Sequence, residues 1–156
     1  MRVYLGSDHA GYELKVHLVN HLAKQGYEVV DVGPHVFDPD DDYPVFCLHT
    51  GDHVVDDVES LGVVIGGSGN GEQIAANKVA GVRAALAWSV ETAQLSRQHN
   101  DANVIAVGAR QHTLDEATAI VEAFLTTPFS GNERHARRIA QVTEYEETGA
   151  LPSLPA

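Results

Sequence analysis

Residues 62–78 read GVVIGGSGNGEQIAANK, an apolar run that enters a glycine-rich turn and leaves it as a helix-forming segment. Val63, Val64 and Ile65 have the composition of a strand end buried on both faces, and Gln73 to Val79 that of a helix. Between them Gly66, Gly67, Gly69 and Gly71 predict a turn whose backbone approaches a ligand closely, with the first free N–H groups of the helix aimed at the same space. Such a turn suits an anion or an oxyanion. It also contains Ser68 and Glu72, so a proton acceptor stands beside hydrogen-bond donors. That pairing serves proton transfer better than simple binding.

Two familiar glycine motifs do not fit. Counted from Gly67, the third glycine of a dinucleotide G-x-G-x-x-G falls on Glu72, whose charge would face the pyrophosphate, and about 20 residues on stand Ala87 and Trp88 rather than an acidic ribose partner. The Lys-Ser/Thr pair of a P-loop is also missing. A tight turn needing glycine for geometry alone, with Glu72 as a capping residue, is the plainer alternative.

Outward from this turn the chain alternates strands and helices. Arg2–Leu5 predicts a strand, followed by the polar loop SDHAG and a helix whose Leu14, Leu18, Val19 and Leu22 share a face before Gly26 ends it. Glu28–Val32 is a second strand, and the acidic loop from Asp38 to Asp42 leads to a helix from Tyr43 to about Val55 with Pro44 in its first turn. Val82–Trp88 and Asn103–Val107 complete five strands; Glu91–Gln98 and Thr113–Leu125 are helices, the latter with Leu114, Ala117, Val121, Phe124 and Leu125 on its buried face. The expected architecture is α/β, a Rossmann-like three-layer α/β/α sandwich around a five-stranded, mostly parallel sheet. Ligands of such sheets bind at the carboxyl ends of the strands, where the loops Ser7–Gly11, Gly66–Glu72 and Gly108–His112 would gather.

Residues 1–128 are thus expected to form the core and 129–149 a C-terminal helix of the same domain, followed by a flexible tail over 150–156. Ile139, Val142 and Tyr145 give that last helix a small apolar face, which points to a partner subunit rather than to its own core. With 156 residues, 44% of them hydrophobic, the chain has material for one substantial core. A net charge of -12 and a pI near 5.0 argue against nucleic acid and anionic membrane as partners. The lone Cys47, the lack of any apolar run of about 18 residues and the absence of a signal-peptide pattern make a reducing cytoplasm the expected compartment.

Other residues outside the turn also carry chemistry. Asp8 and His9 form either a polar pair for a hydroxylated or phosphorylated ligand or an N-cap beside a surface histidine. His99 and Asn100 end a helix, the imidazole being suited to proton exchange near neutrality or to pairing with the helix dipole. Three of ten cationic residues lie between 134 and 138, and Arg134 and Arg138, at i and i+4, can converge on a phosphate; a solvated face paired with Glu133 and Glu144 is the alternative. The pairs His17/His21 and His49/His53 have metal-ligand spacing without a fitting third ligand, so no metal site is expected. Cys47, between Phe46 and Leu48, reads as packing.

Taken together, GSDHAGYELK at 6–15, the glycine turn with Glu72 and IAANK up to residue 78, HN at 99–100, GAR at 108–110 and the arginines after Asn132 resemble the type B ribose-5-phosphate isomerases, in the family that includes galactose-6-phosphate isomerase subunits. The resemblance covers about residues 2–146. It implies interconversion of D-ribose 5-phosphate and D-ribulose 5-phosphate through an enediolate, without metal or organic cofactor, by a homodimer, or a tetramer, with sites shared between subunits. Many such proteins carry a cysteine base at the position of Gly66; this chain resembles the subgroup that uses a glutamate at the position of Glu72. By the same resemblance Glu72 moves the proton, Ser68 and the turn Gly67, Ser68, Gly69, Asn70 and Gly71 stabilise the charged oxygens, and His99 assists ring opening. Asp8 and Asn100 would bind the sugar, and His9, Arg110, Arg134 and Arg138 the phosphate. The alternatives are an isomerase of a six-carbon sugar phosphate, such as allose or galactose 6-phosphate, and a non-catalytic sugar-phosphate or nucleotide-binding module. Glu72 speaks against the latter, since a sensor of anions gains nothing from a carboxylate among its donors. A helix N-terminus is expected to favour ionised Glu72, lowering its basicity, until bound substrate desolvates it.

Overall fold

A computed structural model describes residues 1–155. The elements are β1 (Arg2–Ser7), a 3-10 turn (His9–Gly11), α1 (Tyr12–Lys24), β2 (Glu28–Gly33), α2 (Tyr43–Asp56), β3 (Leu61–Gly66), α3 (Asn70–Ala76), β4 (Ala84–Leu86), α4 (Val90–Asn100), β5 (Val104–Gly108), α5 (Leu114–Thr126) and α6 (Glu133–Thr148). The strands pair in the order β2-β1-β3-β5-β4, every pair parallel. Because β1 is followed outward by β2 while β3 pairs on its other side, the order of strands reverses between β1 and β3, the place where α/β sheets open a ligand crevice.

Alternate residues of the central strands feed two cores. Val3, Leu5, Val63, Ile65, Ile105 and Val107 face α1, α4 and α5, meeting Leu14, Leu18, Leu22, Ala93, Val121 and Phe124. On the opposite face Tyr4, Val64, Val104 and Ala106 pack against Cys47 and Val54 of α2 and Ala75 and Ala76 of α3. Val63, Val64 and Ile65 are completely buried, as a strand covered on both sides requires.

Some boundaries and faces differ from expectation, each for a local reason. The helix after the glycine turn starts at Asn70, not Gln73, because Gly69 at φ 83° turns the chain directly into it. β4 is only three residues long. Side-chain amides replace its ladder at the start, the Asn77 side chain pairing with both N–H and C=O of Ala84, and Asn103 Oδ1 accepting from Arg83 N. Leu114, expected on the buried face of α5, is its first residue and is exposed, whereas Ile120 is buried there.

α6 departs most from the rest. None of its residues is buried, and Val142 and Tyr145 are 62% and 51% exposed. It packs on α4, and Glu146 accepts a hydrogen bond from Gly81 N–H. Residues 149–155 have no regular structure; the end of the expected flexible tail, Ala156, lies outside the described residues. No helix among the described residues is long and apolar enough to cross a membrane.

Candidate active site

Three loops meet at the carboxyl edge of β1, β3 and β5. Asp8 N–H donates to Ile65 O, Ala109 N–H to Gly66 O and Arg110 N–H to Gly67 O, so backbone bonds join the segments that carry Asp8, the glycine turn and Arg110. The Arg110 guanidinium lies over Gly67, its Nη1 3.3 Å from where a Cβ would stand.

Glu72, in the first turn of α3, is 4% exposed, and its carboxylate folds back against the end of β3. It occupies the space of a side chain at residue 66, where a Cβ would overlap Oε1, so glycine at 66 is what leaves the carboxylate this position. Burial raises the affinity of this carboxyl for its proton, and the charge of Asp8 acts in the same direction, while the N–H groups of Glu72 and Gly69 oppose them. The balance is upward. The expected dominance of the helix N-terminus is therefore corrected: the packed chain desolvates Glu72 without a substrate.

Ser68 is poised as a donor. Its Oγ accepts from Asn70 N–H at 3.3 Å and from Asn70 Nδ2 at 3.1 Å, which leaves its own hydrogen free to point elsewhere. Tyr43, at the start of α2, lies against Gly71 and walls the turn.

Asp8 is buried, and its Oδ1 accepts from Ala10 N–H and Gly11 N–H, so it caps the 3-10 turn while its charge acts on Glu72. His9 is partly exposed and bonded to Asp41, and that bond, with help from the Asp8 charge and against partial burial, raises its pKa. Cys47 lies near both carboxylates, but burial first and their charges second push its thiol up, away from thiolate.

The remaining candidates form a second group around α4 and α6. The rings of His99 and His135 are 4.4 Å apart, and His135 Nδ1 is 2.8 Å from Ser130 Oγ. Asn100 and Arg138 line a cleft with Gln73, Asn77 and Trp88. No ion pair engages Arg110, Arg134 or Arg138 among the described residues, so Arg134 and Arg138, both exposed, lie on a solvated face without the pairing to Glu133 and Glu144. His17 and His21 bond Thr118 and Glu122, and His53 stacks on Tyr4, which gives three of the four spaced histidines local partners.

Asp41, Tyr43 and His135 join these candidates only in the folded chain. Position 135 sits inside the arginine cluster, whereas the other two belong to an acidic loop and a helix start that carry no local signal of approach to the turn.

The family model described as Ribose/Galactose Isomerase matches residues 3–142. The chain belongs to this family. Ribose-5-phosphate isomerase B of Mycolicibacterium paratuberculosis is 59% identical over 155 residues, covering 99% of this chain and 98% of that protein. The Escherichia coli protein of the same name is 40% identical over 146 residues, 94% and 97% of the two chains. Among solved structures, ribose-5-phosphate isomerase B from Mycoplasma genitalium with bound ribulose-5-phosphate has a TM-score of 0.91 at 43% identity, covering 94% of this chain and 97% of that one. Within the ribose/galactose isomerase family, this chain has glycine at position 66 and places the Glu72 carboxylate where a side chain at 66 would lie.

Proposed function

We infer that this chain is an aldose-ketose isomerase interconverting D-ribose 5-phosphate and D-ribulose 5-phosphate, a reaction of the non-oxidative pentose phosphate pathway. The buried, proton-attracting Glu72 carboxylate in a donor-rich turn carries this reading, together with the family and the relative that binds ribulose-5-phosphate.

In the open-chain aldose, Glu72 would take the proton from C2. The electron pair of that bond forms the C1–C2 double bond, and the C1 carbonyl oxygen becomes negative. Ser68 Oγ–H and the N–H groups of Gly67, Gly69 and Gly71 would meet that charge. Glu72 then returns the proton to C1 while the C2 hydroxyl proton passes to the negative C1 oxygen, leaving a hydroxyl at C1 and the ketone at C2. A carboxyl with raised proton affinity is better matched to this transfer than an ordinary glutamate. His99 would assist ring opening, and Asp8 and Asn100 would orient sugar hydroxyls. His9, Arg110, Arg134 and Arg138 would hold the phosphate, the three arginines having no acidic partner to release first.

The two groups of candidates belong to one site, in this reading, through a homodimer in which α6 reaches the neighbour. Its complete lack of buried residues supports that assembly, and cytoplasmic location follows from the same metabolic role. The test is direct: incubate the chelator-treated protein with ribose 5-phosphate and follow ketose formation, with allose 6-phosphate and free ribose alongside. Turnover of ribose 5-phosphate well above both is expected; preference for the six-carbon phosphate, or no turnover of any, would overturn the assignment.

A further inference from the structure

We propose that Asp41 is the positioning residue for His9, which makes the β2–α2 loop part of the phosphate-binding apparatus. This rests on the assignment of His9 to phosphate. One oxygen, Asp41 Oδ1, accepts both the His9 backbone N–H at 2.7 Å and the ring Nδ1–H at 2.9 Å, so main chain and imidazole are fixed together. With Nδ1–H given to Asp41, Nε2 is the ring atom left for a ligand, and it is a donor when the ring is protonated.

Asp41 is not a solvated acid that happens to be within reach. Its neighbours Asp38, Asp40 and Asp42 are exposed, whereas the Asp41 side chain is 9% exposed and its Oδ2 is buried without a hydrogen-bond partner among the described residues. A half-satisfied buried carboxylate is costly, and the facing imidazolium offsets that cost. The loop that delivers it is tied down at its start. Lys15, fully buried, donates to Asp31 Oδ2 at 2.6 Å and to Pro34 O at 2.8 Å, while Asp31 Oδ1 accepts from Gly33 N–H. α2 holds the other end from Tyr43 onward.

The titratable groups facing the imidazole are Asp41, across from the loop, and Asp8, on its own turn. Both favour the protonated ring, which keeps His9 a cation to higher pH than a free histidine. An anionic phosphate would then meet a fixed, charged donor.

The experiment compares the full-length parent with Asp41→Asn, His9→Ala and the double variant, by kinetics on ribose 5-phosphate and by NMR titration of the His9 ring. Asp41→Asn should raise KM about tenfold with kcat within about threefold, as loss of one charge-assisted bond predicts, and should lower the His9 titration midpoint. In the His9→Ala background the same change should cost less than about twofold, because its target is gone. Asp41→Glu, which keeps the charge, should hold the His9 midpoint above that of Asp41→Asn, and this comparison separates positioning from damage to the loop. Parental KM and His9 midpoint in Asp41→Asn, with His9→Ala impaired, would remove Asp41 alone. An undiminished effect of Asp41→Asn in the His9→Ala background would also remove it. Parental KM in His9→Ala would overturn the phosphate role of His9 and this proposal with it.

Discussion

The carboxylate of Glu72 fills the space a side chain at Gly66 would need, so residues six apart in sequence compete for one position beside β3. A Cβ at 66 would meet Oε1, Oε2 and the carboxyl carbon together, which leaves no rotation of the terminal group that avoids all three. Gly66→Ala should therefore evict the base while leaving the backbone in place. We expect kcat to fall by about 10²-fold or more with the circular dichroism spectrum unchanged, the size of a displaced general base. Parental turnover in Gly66→Ala would mean that Glu72 works from elsewhere.

Glu72→Gln separates chemistry from stability. Cys47 is held as a thiol and Asp8 is committed to the N–H groups of Ala10 and Gly11, so neither replaces the carboxylate, and isomerisation should drop by more than about 10³-fold with little change in KM. The fold should gain. Burial raises the Glu72 pKa, so the contribution of its proton to stability is complete below the ordinary glutamate range and is lost as pH rises through the higher folded value. Glutamine has no such proton to lose, and the melting temperature of the variant minus that of the parent should be larger at about pH 8 than at about pH 4. An equal difference at both would show that Glu72 is not desolvated.

Cys47 lies among Val54, Val64 and Ala75 with no exposed surface. Cys47→Ser should keep turnover within about twofold and lose about 1 kcal/mol of stability, from a hydroxyl placed in an apolar cluster. Alkylation of the native protein at neutral pH should leave this thiol unmodified by mass spectrometry; a modified, folded and inactive protein would give Cys47 a role in the reaction.

Arg134 and Arg138 lie on a helix that buries none of its own residues. If they serve a neighbour's site, inactive Glu72→Gln subunits mixed with inactive subunits carrying Arg134→Ala and Arg138→Ala should regain activity after dissociation and reassociation. A hybrid dimer then has one site with every defect and one with none, and random pairing returns about a quarter of parental activity. With hybrids confirmed by native mass spectrometry, activity at the level of the separate variants would assign the arginines to their own chain's site.

The architecture was written in local pattern. The unbroken apolar run Val63, Val64 and Ile65, the spacing of Leu14, Leu18 and Leu22 in α1, and a glycine turn at a strand end are patterns of a few residues, and backbone geometry converts such patterns into strands buried on two faces and helices buried on one. The candidate base was legible for the same reason, as a carboxylate among glycines.

Which neighbours that base meets was decided only by the tertiary structure. Whether the helix N-terminus or desolvation governs Glu72 depends on how completely the carboxyl is covered, and its cover includes β3 behind Gly66 and Asp8 from the loop after β1. Asp41 reaches His9 across 32 residues of chain, and His99 meets His135 across two helices, with no periodicity linking either pair. Backbone preference acts over a few residues and is therefore visible in sequence. Burial, charge proximity and the choice of hydrogen-bond partner are properties of the packed chain, and they come into being only when distant segments close on one another.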